Sequence, residues 1–340
     1  MDPILWEPFV SRVAFFHGFE CRRILPGLPG SYPTFIVELS HPHPQAQTAI
    51  VIKFFGSLFD GAVSFLVEKA MGQFVKLKPL SIRSPVILAE GRLDSEWAYL
   101  VFEHIPGVSI GQVRAELSWE AMESVAQQVG VFMRELHFLT ATTDSIIPLS
   151  TPGMSWEPYI AFLENQRSAC LKNHQHWQDL PAQLLHQVPG YLSLTDELVD
   201  LSSPPYLIHA DLTADHLLGK CIITGSSPTS VPQVYDRNPG EQRRAGRQWE
   251  SLAIIDWGDS RVGNILYELV AIQLDLFRAD KYLLRKCLEA YRLPIFFQMD
   301  FPRKALSMML LHQFPMPASV YAPYRASRSL DELAGGLFGV

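Results

Sequence analysis

The stretch Tyr206–Leu218, YLIHADLTADHLL, constrains this chain more than any other. An apolar pair, Leu207-Ile208, delivers His209 and Asp211 to a loop, and a second pair, Leu217-Leu218, follows at once. The chain therefore leaves a core and re-enters it within a few residues. Polar groups fixed between two buried strands are how a rigid scaffold presents a working loop. Further on, Ala253–Gly258 reads AIIDWG, again an apolar strand that ends on an acid and a glycine. Asp211 and Asp256, each at the exit of a buried strand, suit a base and a metal ligand meeting in one cleft.

Together these motifs resemble the aminoglycoside phosphotransferases, with choline kinases as relatives, which share the protein-kinase-like fold. The catalytic loop of that family runs H-x-D-x-x-x-x-N, its metal motif is I-D-W or I-D-F, and a G-D-P-x-x-D-L helix start follows. The chain has His209-Ala210-Asp211, Ile255-Asp256-Trp257 and Gly263-Asn264-Ile265-Leu266-Tyr267-Glu268-Leu269. It departs from the pattern at His216, where the loop should close with Asn, and at Asn264 and Glu268, each of which softens an expected Asp. The resemblance implies a bilobal α+β fold, with a small β-rich N-lobe at residues 1–105 and a larger, mainly helical C-lobe at 106–340. It also implies a reaction, transfer of the γ-phosphate of ATP, or of GTP, to a hydroxyl of a small molecule. In that template Asp211 takes the proton of the acceptor, His209 braces the loop through a hydrogen bond, and Asp256 holds Mg²⁺. His216 falls at the second metal position, where imidazole is a poor magnesium ligand and would serve a phosphate instead.

Ahead of this centre, a short helix is expected at Pro3–Phe16, then a Gly- and Pro-rich loop that opens the segment Ile24–Leu39 and leads into an alternating strand. Gly27 and Gly30 would let backbone N–H groups approach phosphates, and the same loop reads equally as a plain hairpin turn. Lys53 lies inside the β-branched and aromatic strand Thr48–Phe55, where a buried ammonium must be paired. In Gly61–Leu77, the residues Val63, Leu66, Val67, Ala70, Met71 and Phe74 form one helical stripe, with Glu68 beside it. By resemblance Lys53 holds the nucleotide phosphates and Glu68 is its partner. The plainer reading is an edge-strand lysine and a solvated glutamate. Strands at Pro85–Glu90 and Glu96–Phe102 follow, and the second runs into Glu103-His104-Ile105-Pro106-Gly107. The resemblance makes this the hinge, where backbone groups near Glu103 and Ile105 bond an adenine edge.

The C-lobe is expected to contain helices at Ser118–His137, Ser155–His174, Asp179–Leu201, Leu266–Phe277 and Lys281–Tyr291. Glu157, Glu164 and Asp179 are candidates to face a cationic acceptor, although charged helix residues are usually just solvated. His174 and His176, two positions apart, diverge on a helix and do not suggest a metal site. Asp211 and Asp256 are 45 positions apart, where the family has a short hairpin. The extra stretch, residues 225–250, is polar, rich in Pro and Gly and locally basic. It reads as an exposed insertion, with a basic flap or a protein-docking segment as the sharper alternatives. Residues 274–291, LDLFRADKYLLRKCLEAY, resemble a branch of these domains fused in eukaryotes to jumonji or F-box modules.

The net charge of −7 argues against nucleic acid as main partner and is compatible with a cationic acceptor. Cys21, Cys170, Cys221 and Cys287 are scattered without a C-x-x-C pair, so neither a zinc site nor a disulfide framework is expected, and the thiols read as those of a reduced, cytoplasmic protein. The N-terminus lacks a basic region and the chain lacks a run of about 18 apolar residues, so no membrane span is expected. The competing class is a pseudokinase that keeps the fold and docks a protein partner, for which His216 and the insertion speak. A protein kinase is disfavoured, because an A-P-E motif is missing after Asp256.

Overall fold

The structure, a computed structural model, describes residues 3–44, 47–141, 155–222 and 247–340. Most of the stretch expected as an insertion lies outside the described residues, and its last few residues belong to a strand.

The N-terminal layer is an antiparallel sheet of β1 (Cys21–Pro26), β2 (Thr34–His43), β3 (Gln47–Phe55), β4 (Ile87–Arg92) and β5 (Ala98–Glu103), in the order β1-β2-β3-β5-β4. Alternation builds one face of it. Phe35, Val37 and Leu39 of β2 meet Ile50, Ile52 and Phe54 of β3 and cover Val10, Val13 and Ala14 of helix α1 (Pro3–Phe16). Strand β1 was not expected, because as an edge strand it has Arg22 and Arg23 exposed and shows no apolar alternation to read.

On the other face lies helix α2 (Gly61–Val75), which buries Val67, Glu68, Met71, Gly72, Phe74 and Val75. The expected stripe is corrected here, since Val63 and Leu66 are each 59% exposed. The helix is turned so that Glu68 looks at β3, and that rotation carries Val63 and Leu66 into solvent. Gly72 permits the close approach, because a Cβ there would stand 2.6 Å from the Ile87 side chain.

The C-terminal part packs helix α3 (Trp119–Ala141) against a later helix through Val129, Phe132 and Cys287, with α4 (Glu157–Trp177), α5 (Ile265–Ala271), α6 (Lys281–Tyr291), α7 (Phe301–Leu310) and α8 (Leu330–Phe338) around one core. The helix expected over Asp179–Leu201 is instead a series of short turns at Ala182–Gln187, Val188–Tyr191 and Thr195–Leu198. Pro181, Pro189 and Gly190 interrupt it. Asp179 is buried, bonded to His174 Nδ1 at 2.7 Å and to the Met316 N–H, so it is a core pair and does not face an acceptor. Burial opposes a charge on His174, but the bond to Asp179 pushes its pKa up to about 10.

Two small sheets position the motifs. β6 (Val108–Ser109), β8 (Leu217–Ile222) and β9 (Gln248–Ile254) form one, and β7 (Tyr206–Ile208) pairs with β10 (Arg261–Gly263) in the other. Register brings the two acids together: Leu217 pairs with Ile254, and the next N–H, that of Ile255, donates to the His216 carbonyl at 3.0 Å. The Ile254 N–H donates to Arg83 O at 2.9 Å and ties this sheet to the chain ahead of β4.

Candidate active site

Lys53 lies in β3 between Thr34 and Leu100 on the neighbouring strands. Its Nζ donates to Glu68 Oε2 at 2.6 Å and to Asp256 Oδ1 at 2.7 Å. Lys53 is 6% and Glu68 3% exposed, so the pair is buried and the solvated-glutamate alternative falls away. Burial works against the ammonium, yet Asp256 and Glu68 outweigh it and raise the Lys53 pKa. The same burial pushes Glu68 up to about 7 against the pull of Lys53. Asp256 goes the other way. Burial opposes its ionisation, but Lys53 and His216 hold its carboxyl well below the usual range.

The catalytic-loop residues are fixed from below. His209 Nε2 donates to Ile255 O at 2.9 Å, and its ring lies 4.8 Å from that of Trp257. Burial lowers its pKa to about 3, so the ring is neutral, and the Asp211 N–H approaches the remaining nitrogen at 3.4 Å. Ala210 has φ 69° and Asp256 φ 65°, left-handed values that a non-glycine residue holds only where its surroundings fix them. For Ala210 the support is Glu268, whose carboxylate accepts its N–H at 2.7 Å. Asn264 caps α5 by accepting from the Tyr267 N–H and donates to Leu198 O at 2.7 Å. Of these two departures from the family pattern, Glu268 braces the loop directly and Asn264 caps the helix that carries Glu268.

His216 lies between the two acids. Its Nδ1 donates to the Asp211 backbone carbonyl and is 3.7 Å from Asp211 Oδ2, while Nε2 is 3.6 Å from Asp256 Oδ2. Burial would neutralise the ring, but Asp256 and Asp211 raise its pKa. Burial also pushes Asp211 up to about 7, with His216 opposing and Asp259 and Asp256 adding to the rise.

Between the sheet and this loop is a cleft of about 370 Å³, lined among others by Gly27, Gly30, Glu103, Ile105, Lys53 and Asp256. Gly27 closes the β1–β2 hairpin, its N–H donating to Thr34 O at 2.8 Å where a Cβ would stand 2.9 Å from Thr34 atoms. A Cβ at Gly30 would meet no atom within 4 Å, so its backbone faces open space. The Glu103 carboxylate accepts from Arg83 at 2.8 Å and from the Val86 N–H at 2.9 Å, and the Glu103 N–H donates to Val86 O. Its side chain thus buttresses the strand end, leaving Ile105 beside the cleft.

Sequence reasoning missed Tyr32. Its hydroxyl bonds Phe59 O at 2.6 Å and lies 2.9 Å from Ser64 Oγ, and Lys53 Nζ is 5.4 Å from its ring centre. One aromatic residue in the loop GLPGSYP was the available signal. Glu157 and Glu164 are exposed on α4, and Glu164 is occupied by Thr195 and Arg167.

Residues 62–224 match the phosphotransferase enzyme family, APH. The chain is 25% identical over 229 residues to lysine-specific demethylase JMJ21 of Arabidopsis thaliana, a match that covers 60% of this chain and 22% of that protein. The chain thus aligns with only about a fifth of the length of this curated relative. Among solved structures, the GDP complex of wild-type aminoglycoside 2′-phosphotransferase-IIIa superposes with a TM-score of 0.57 at 16% identity, covering 99% of this chain and 96% of that one. The ADP and hygromycin B complex of a thermostable mutant of aminoglycoside phosphotransferase APH(4)-Ia gives 0.52 at 15%, covering 96% and 97%. The fold is therefore the bilobal, protein-kinase-like α+β fold of the aminoglycoside phosphotransferases. Among the described residues, no helix is long and apolar enough to cross a membrane.

Proposed function

Starting from a chain with the fold of the aminoglycoside phosphotransferases, we propose that it transfers the γ-phosphate of ATP or GTP to a hydroxyl of a small molecule. The observation that carries this reading is the line of contacts Glu68–Lys53–Asp256–His216–Asp211, of which all but Asp211 line the cleft. A buried cation, an ionised acid and a carboxyl poised near neutrality, met in that order, support phosphoryl transfer.

Asp211, at about 7, is half ionised near neutral pH, which suits a group that takes a proton from a hydroxyl as the phosphoryl group arrives. Neutral His209 and the Glu268 carboxylate keep its loop in place. Lys53 stays charged and offsets the charge of the phosphate tail. Magnesium usually takes one or two protein carboxylates together with phosphate oxygens, and Asp256, held ionised, fits that donor set. Among the described residues no group of three or more His, Cys, Asp and Glu is arranged to hold a metal. When bound, Mg²⁺ would neutralise charge on the phosphate oxygens. His216 donates one nitrogen to the Asp211 carbonyl, which leaves Nε2 as the atom able to serve a phosphate, its better match, or the second metal position.

One observation favours a pseudokinase as the second reading: both oxygens of Asp256 already face protein groups, the Lys53 ammonium and the His216 imidazole. Calorimetric binding of ATP and GTP, with and without Mg²⁺, to wild type and to Asp256→Ala decides between them. Metal-dependent binding that disappears in the variant supports the phosphotransferase. Binding indifferent to metal, with no turnover of hydroxyl compounds, supports the pseudokinase, and no nucleotide binding by folded protein sinks the phosphotransferase.

A further inference from the structure

Beyond the catalytic loop, on the side away from the nucleotide cleft, the charge pattern changes. In β10, Arg261 pairs with Ile208, the residue before His209. Its guanidinium lies 4.3 Å from the ring centre of Phe162 and 5.3 Å from that of Tyr267, and it donates to Gln313 Oε1 at 2.9 Å. The Gln313 amide in turn reaches Asp259 Oδ1 at 3.4 Å. β10 thus sets Arg261 against the strand that reaches Asp211 three residues later, and Tyr267, packed against its guanidinium, belongs to α5 beside Glu268, which holds the Ala210 N–H.

Among the described residues, the arginines in ion pairs are Arg22, Arg83, Arg167 and Arg247. Arg261 is not one of them, although it is only partly exposed. Its Nε also donates to Asp259 O at 3.5 Å. Aromatic faces, one amide and one backbone carbonyl orient the guanidinium without an ion pair. With Nε and Nη2 so engaged, Nη1 remains for a ligand, and a guanidinium fixed in this way takes a carboxylate or a phosphate through charge-assisted hydrogen bonds. Of the acids read as candidates for a cationic acceptor, Asp179 is in the core, Glu164 is tied to its neighbours and Glu157 alone is left exposed on α4.

We infer that Arg261 determines acceptor specificity, selecting an alcohol that carries a carboxylate or phosphate group over a cationic one. This rests on the phosphotransferase reading. The test uses acceptors on one carbon skeleton, gluconate, glucose and glucosamine, with glycerol phosphate as the phosphate arm. Each is titrated calorimetrically against wild type saturated with Mg²⁺ and AMP-PNP, and then assayed for initial rates with ATP. One of the two anionic probes should bind about tenfold or more tighter than glucose, with glucosamine weakest, and the better of the two identifies the oxyanion. Arg261→Gln should erase that preference and Arg261→Lys, which keeps the charge, should restore part of it. Because the ranking is read first on wild type, it does not depend on how either variant folds. Equal or better binding of glucosamine, an Arg261→Gln defect of the same size for all acceptors, or failure of both anionic probes by a protein that binds the nucleotide would each overturn the inference. Failure to bind nucleotide at all overturns the phosphotransferase reading itself, and this inference with it.

Discussion

On the nucleotide side of the catalytic loop, contacts of 2.6 to 3.6 Å link Glu68, Lys53, Asp256 and His216 in turn, and the Lys53 ammonium faces two carboxylates. On the side proposed for the acceptor, Arg261 lies over two aromatic rings and is bonded to an amide and to Asp259 O. The first region is internally compensated and suits a ligand whose charge pattern never varies. The second is left with a charge, and such a surplus is where the same fold can change its substrate. Asp211 stands between them, its carboxyl raised by burial and by acids on both sides.

The largest effect expected from breaking this arrangement is on chemistry alone. Asp211→Asn should lower kcat by about 10²–10⁴-fold, while calorimetry shows nucleotide binding little changed. If binding falls along with turnover, Asp211 belongs to the compensated set and the contrast between the two sides fails. Next is Lys53→Met, which strips the buried acids of their cation. Denaturant unfolding should show a loss of about 3 kcal/mol or more, whereas a loss near zero would mean that Glu68 simply takes up a proton. In wild type, kcat/KM should climb with pH through about 7 as the Asp211 carboxyl ionises, and Asp211→Asn should flatten that profile.

The smallest effect concerns Glu268, which burial pushes up from an ordinary 4.5 to about 7. Between those values the folded protein binds more protons than the unfolded chain, so this group makes stability fall as pH rises across the window, by up to about 1.4 kcal/mol per pH unit. Urea unfolding at several pH values should show a shallower slope in Glu268→Gln. An unchanged slope would mean that the Ala210 N–H stabilises the carboxylate as well as water does.

Much of the nucleotide side was legible because burial and charge conflict there. A lysine in the strand of Lys53, unless that strand lay at an edge, and acids at the ends of Leu207-Ile208 and Ile254-Ile255 called for partners. Elsewhere the sequence carried less. The burial of α2 could not be read from its apolar residues, because the polar Glu68 decided which way the helix turned and left Val63 and Leu66 outside. Asp179 looked like a surface acid until a loop near Met316, far along the chain, covered it. Arg261 drew no notice, since an arginine in a short polar strand is ordinary until Phe162 and Gln313 arrive from distant segments.

The Lys53–Asp256 contact joins residues 203 positions apart, one in the N-terminal sheet and one beyond β9. Seen as an exchange reaction, it would make the proposed nucleotide uptake nearly isoelectric at this point: Lys53 would trade a carboxylate for a phosphate, and Asp256 an ammonium for a divalent cation. A site that already rehearses the alternating charges of such a ligand would need little reorganisation to receive it.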